Sequence, residues 1–279
     1  MNRRSRRAIL GGLAGLGTVL AGCSSRGTDD ETTNDGADVD PSGPFASIRV
    51  EGTALVVELA EGSSVDGVNV IAPSGAVFAE QRVATGATRV EIGLDTRYRP
   101  GEHRILAVRD GESVAETTLA IRPDLEILDV SVGANNLDEI PEGLNFREEQ
   151  ALVTVRNRGN GPARVSRLLL LGDLPNPTSE LETGDSDTED GLYSSGEPTD
   201  SGVVTIPANE RDSLVTDTMP FLFSGDGVEC RPESQQGEFT ITIELARTDS
   251  QASAEFNIQY SASQTSDGCS IEIGGEVSV

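Results

Sequence analysis

The stretch "RYRPGEHRILAVRDGE", residues 97–112, opens on a Pro-Gly turn, runs through an aliphatic segment and closes on Asp110-Gly111. Glycine supplies the positive φ that a tight two-residue hairpin needs, and aspartate tolerates the left-handed region beside it. The stretch therefore predicts a strand over 102–110, a reversal, and a returning strand over 113–121. Just upstream, Val90, Ile92 and Leu94 alternate with Arg89, Glu91 and Gly93, the period-two pattern of a sheet with one buried and one wet face. Further runs at 46–50, 53–60, 67–72, 75–80 and 87–94, with turn residues between them, bring the first block to seven strands. Short strands repeating at about ten-residue spacing indicate a β-sandwich or barrel.

A second block follows the seam Arg122-Pro123-Asp124. Its strands are expected near 125–132, 150–159, 163–172, 202–206, 212–223, 237–247, 253–260 and 269–279. Phe239, Ile241, Ile243 and Leu245 alternate with Thr240, Thr242, Glu244 and Ala246, again one apolar face per strand. The fold class read from the sequence is all-β: two tandem immunoglobulin-like sandwiches at 45–122 and 123–279.

Two resemblances accompany this reading. Residues 97–112 resemble the late-strand hairpin of immunoglobulin-like and fibronectin-type modules, which implies a corner role for Tyr98; on residue type alone it is a half-buried aromatic. The phrase "ALVTVRNRGNGPARVSRLLL", residues 151–170, resembles the start of the adhesion-related immunoglobulin-like domain of archaeal and bacterial surface proteins. That likeness implies a sandwich in an extracellular setting and transfers no catalytic residue.

Composition narrows the partners. The 279 residues carry 47 acids against 21 basic residues, every one arginine, for a net charge of −26. Such self-repulsion opposes a compact state unless salt screens it, and at 1 M salt the Debye length is only ~3 Å. The lysine-free, acid-rich balance resembles proteins of salt-loving archaea. It argues against nucleic acid as a partner, since phosphate would be repelled.

The N-terminus reads as an address. Arg3, Arg4, Arg6 and Arg7 precede an apolar run over 8–22 that ends at Cys23, shorter than the ~20 residues of a spanning helix. Arg6-Arg7 with its flanks resembles a twin-arginine export signal, and Leu20-Ala21-Gly22-Cys23 resembles a lipobox. The resemblance implies a cleaved leader over 1–22 and a lipidated Cys23 anchoring the chain to the outer face of the cell membrane. Residues 24–44 hold six acids and one arginine, so the segment 23–44 is expected to be a disordered acidic tether, spanning roughly 25 Å.

Cys230 and Cys269 remain. In an exported chain an even pair reads as a disulfide, worth about 4 kcal/mol through loop entropy; two free thiols are the alternative. Residues 173–201 form an acidic insertion with nine acids and no basic residue. Its Asp185, Asp187, Glu189 and Asp190 are candidate Ca²⁺ ligands, although the glycine of a calcium loop falls one place late and its twelfth position is Gly196 rather than glutamate. A solvated acidic face is the plainer reading. Leu192 and Tyr193 are the residues able either to dock this insertion on the sheet or to serve as a contact point for a partner.

No catalytic signature is present. His103 is the single histidine and is expected on a strand surface. No nucleophile elbow, zinc cluster, dinucleotide-binding turn or phosphate loop accompanies it. The expectation is a lipid-anchored extracytoplasmic binding or scaffolding module without catalytic activity or cofactor, its partners being envelope or membrane proteins. The alternatives are a calcium-dependent or carbohydrate-binding adhesion module and, third, an accessory substrate-binding subunit of a transporter.

Overall fold

The computed structural model describes residues 36–94, 97–176, 192–195, 203–216, 218–222, 234–262 and 269–276. Among these the secondary structure is sixteen strands and two short 3-10 turns. The first seven strands are β1 (Phe45–Glu51), β2 (Ala54–Leu59), β3 (Gly67–Ile71), β4 (Val77–Arg82), β5 (Arg89–Gly93), β6 (Gly101–Arg109) and β7 (Glu112–Ile121). They build a three-stranded sheet, β1-β2-β5, facing a four-stranded one, β4-β3-β6-β7. The hairpin read from Asp110-Gly111 joins β6 to β7, with both residues at positive φ (52° and 82°).

The remaining strands are β8 (Leu125–Val132), β9 (Ala151–Asn157), β10 (Ala163–Gly172), β11 (Leu192–Ser194), β12 (Val204–Ile206), β13 (Arg211–Thr216), β14 (Gln235–Leu245), β15 (Gln251–Ala262) and β16 (Cys269–Glu276). Here the sheets are β11-β13-β9-β8 and β12-β10-β14-β15-β16. If β11 and β16 are set aside as additions, the second block repeats the order of the first: strands one, two and five in one sheet, four, three, six and seven in the other. All pairs are antiparallel. The chain is all-β, with two immunoglobulin-like sandwiches.

Each sandwich closes on its own core. Ile48, Leu55, Val57, Val68, Val70, Ile105 and Ile121 fill the first, while Val153, Val165, Leu170, Ile206, Leu214, Ile241 and Ile243 lead the second. Phe239 and Phe256 lie opposite one another across β14 and β15, their rings stacked at 5.7 Å. Burying side chains of this size stabilises by roughly 1.5–3 kcal/mol each, so small aliphatic residues suffice without a tryptophan.

Several expectations are corrected. His103 is on an inward position of β6 and is fully buried, not on a strand surface. Residues 36–44 of the expected tether are ordered. Gly36 bridges to Arg49, Ala37 N–H donates to Ile48 O at 2.9 Å, and Thr117 Oγ1 donates to Asp38 O at 2.8 Å. Ala37 and Val39, two residues apart, put their side chains against the first core, a period-two signal that acidic composition masked. The strand expected over 212–223 stops at Thr216, and Phe221 instead turns into the second core. Within the acidic insertion, β11 pairs with β13 and buries Leu192.

Candidate functional site

The functional residues read from the sequence fall mainly outside the described residues: Arg6, Arg7, Cys23, Cys230, Asp185, Asp187, Glu189 and Asp190 all do. Cys269 opens β16 with its backbone paired to Ala262; its side chain lies outside the described residues. Among the described residues no three potential metal-ligating side chains cluster, and no helix is long and apolar enough to cross a membrane.

What the structure does build is a seam at the connector 120–124. It is made by the turn after β9, "NRGNGPA", residues 157–163. Asn157 is fully buried. Its Oδ1 accepts from Asp124 N–H at 3.1 Å and Gly159 N–H at 3.0 Å. Its Nδ2 faces the carbonyls of Gly161, Ile206 and Pro207 at 2.8, 3.2 and 3.1 Å. One side-chain amide thus serves the connector, its own turn and the approach to β13. Asn160 acts as a short surrogate strand: Nδ2 donates to Ala120 O at 2.8 Å and Oδ1 accepts from Arg122 N–H at 3.0 Å. Backbone bonds from Gly161 N–H to Arg122 O and from Arg158 N–H to Asp124 O complete it.

The glycines are there for space. A β-carbon at Gly159 would lie 2.3 Å from Arg122 O, and one at Gly161 would lie 2.6 Å from the Tyr98 hydroxyl and 2.7 Å from Ile121. Tyr98 is buried and donates from its hydroxyl to Ile121 O at 3.1 Å, at the joint between the sandwiches; the acceptor lies 23 residues downstream, whereas a corner tyrosine bonds backbone a few residues upstream. Burial pushes its phenol well above the usual range. A second strut runs from Ala208 N–H to Gly52 O at 3.2 Å.

His103 sits behind this tyrosine. Its ring stacks on Tyr98 at 5.9 Å and meets Phe78 edge-on at 6.1 Å. Gly101 O lies 3.1 Å from Nδ1; a carbonyl only accepts, so Nδ1 carries the proton and Nε2 is a buried acceptor with no partner. Burial lowers the imidazole pKa, only partly countered by the Gly101 bond. Enclosed by two aromatic rings, the imidazole has no path to a solvent-borne substrate in this conformation.

The surface offers grooves rather than chambers. One of about 550 Å³ runs along the free edges of β4 and β5, where Arg97 stands 5.6 Å over the Phe78 ring. Another of about 350 Å³ lies over β14, β15 and β16 beside Asn257 and Gly274. The outer face of β1-β2-β5 is a charged lattice in which Arg49 and Arg89 bridge Glu51, Glu58 and Glu91. Hydrogen bonds from those arginines hold the Glu51 and Glu58 carboxyls below the usual range.

No family model matches the chain, and no curated protein sequence does. Solved structures similar to it include a two-domain fibronectin type-III segment from chicken tenascin, 13% identical, covering 86% of this chain and 99% of that one with a TM-score of 0.27. A glycoside hydrolase family 2 β-glucuronidase is 13% identical over 80% of this chain, with a TM-score of 0.24. A family 2 member from Bacteroides cellulosilyticus is 15% identical over 74%, with a TM-score of 0.22. This chain spans 20% and 23% of the length of those two hydrolases. At such scores neither activity nor fold follows from the likeness, and the fold stands on the strand order.

Proposed function

We propose that the chain is a lipid-anchored, extracytoplasmic scaffold: exported through its Arg6-Arg7 signal, held to the outer membrane face by lipid on Cys23, and acting by binding rather than catalysis. The observation that supports this most is the seam. Side-chain amides and two sterically required glycines bind the connector at several points, which suits a part that holds one surface at a fixed distance and angle from another. The sole imidazole is enclosed, and the acidic exterior suits a high-salt setting. Envelope or membrane proteins are the partners this reading names, with no nucleic acid and no cofactor.

The test is cross-linking in native membranes with the wild-type chain and Cys23→Ser. The proposal expects the wild type in the membrane fraction joined to a small, reproducible set of envelope proteins, and the variant released from the membrane. Equal membrane retention of both, or no adduct from either, overturns it.

A further inference from the structure

The two sandwiches differ sharply at one equivalent place. In the first, β1 reaches β2 through only Gly52-Thr53; in the second, β8 reaches β9 through Gly133–Gln150. The strand order is the same on both sides, so the fold does not require the longer path.

This excursion is built and braced. Ile140, with Leu144 and Tyr193 packed beside it, forms a small third core against Leu152 and Val215 on the outer face of the β9-β13 sheet. Arg147 Nη2 donates to the carbonyls of both Leu137 and Ile140. Gln150 Nε2 donates to Asn145 O at 3.2 Å, Ser195 Oγ to Glu139 O at 3.1 Å, and Phe221 N–H to Glu149 O at 3.1 Å. Gly133 lets the two ends pass: a β-carbon there would lie 2.0 Å from Arg147 O.

What this bracing holds out is an aromatic ring. Phe146 is 61% exposed, and its backbone is left-handed at φ 52°, ψ 44°, a strained conformation for a non-glycine residue. Leu137, 37% exposed, is tied by its carbonyl to Arg147, the residue that follows Phe146. Arg147 Nε and Gln150 Oε1 are buried without partners, a further cost of this geometry. Strain, orphaned polar atoms and an exposed aromatic ring occur together in a segment the fold does not need.

We propose that Phe146, with Leu137 exposed on the same excursion, is the contact point for a partner protein that offers an apolar pocket rimmed by basic side chains. The rim follows from charge. Asp138, Glu139, Glu142 and Glu148 are exposed on the same excursion, while its single cation has Nη2 on two carbonyls. An anionic lipid surface or a second copy of this chain would meet those carboxylates with like charge. A buried aromatic anchor ringed by polar contacts is the usual form of a binding hot spot. The inference rests on the scaffold reading and names its contact surface.

The test places photoreactive benzoylphenylalanine at position 146, and separately at exposed Val114 of the first sandwich, in the full chain in native membranes. The expected result is one protein adduct from position 146, mapping to an apolar segment flanked by arginine or lysine. Its yield should fall at least tenfold when Asp138, Glu142 and Glu148 are changed to their amides. Phe146→Gly, which adopts the left-handed backbone freely, should lose recovery of that same partner tenfold without lowering the melting temperature. Adducts to lipid or to a second copy, a yield no higher than at Val114, or a Phe146→Gly chain that melts earlier would each overturn it. Partners captured only elsewhere on the chain would leave the scaffold reading standing and remove this one.

Discussion

Gly161 packs directly beneath the Tyr98 hydroxyl: a β-carbon on the glycine would lie 2.6 Å from that oxygen. The tyrosine belongs to the first sandwich and the glycine to the second, so the joint tolerates no added atom. Gly161→Ala should destabilise the folded chain by about 2–3 kcal/mol through overpacking. Tyr98→Phe removes the oxygen and one hydrogen bond, costing about 1 kcal/mol alone. The double variant should be more stable than the sum of the two predicts, because the contact with the hydroxyl is relieved although that with Ile121 remains. Denaturant titration of the four chains checks the cycle.

Asn157 is the second point of failure. Asn157→Leu strips partners from Asp124 N–H and Gly159 N–H and from three facing carbonyls, and should cost roughly 2–4 kcal/mol. Asn157→Asp keeps the acceptor but sets a carboxylate oxygen against those carbonyls. It should be destabilising at neutral pH and partly recover in acid as the carboxyl regains a proton. Melting curves at two pH values separate the variants.

The buried imidazole predicts a pH dependence of definite sign. His103 has its pKa lowered from 6.5 by burial in the folded chain, whereas the unfolded chain takes up a proton near the ordinary value. Stability is therefore full above about pH 6.5 and falls as pH drops through that value, with a limiting slope of about 1.4 kcal/mol per pH unit until the folded pKa is reached. Glu149 acts in the opposite sense, since burial raises its carboxyl pKa; the difference between wild type and His103→Gln isolates the histidine. Unfolding free energies in high salt from pH 7 to 5.5 should slope for the wild type and flatten for the variant.

Much of the architecture was legible because period-two alternation is a local signal. Val90, Ile92 and Leu94 announce their buried face, and Asp110-Gly111 announces its hairpin. The turn Asn157–Ala163 was legible as a turn but not as a clasp: nothing local says that Asn160 will reach back to Ala120. His103 was misread because one imidazole between Glu102 and Arg104 looks wet, and its alternation with Ile105 and Ala107 was the signal that should have prevailed. Phe146 left no mark in the text, since exposure and left-handed backbone are properties of the folded excursion.

Calcium separates the scaffold from the adhesion alternative. Under the scaffold reading, calorimetric titration of Ca²⁺ into the full chain at high salt gives no stoichiometric heat. A saturable site lost in Asp187→Ala and Asp190→Ala would instead favour the alternative.

The most direct measurement is the intact mass of the chain recovered from its native membranes. The account predicts a polypeptide beginning at Cys23, heavier than its sequence by a lipid. A chain still carrying Arg6 and Arg7, with an unmodified Cys23 thiol, would contradict it.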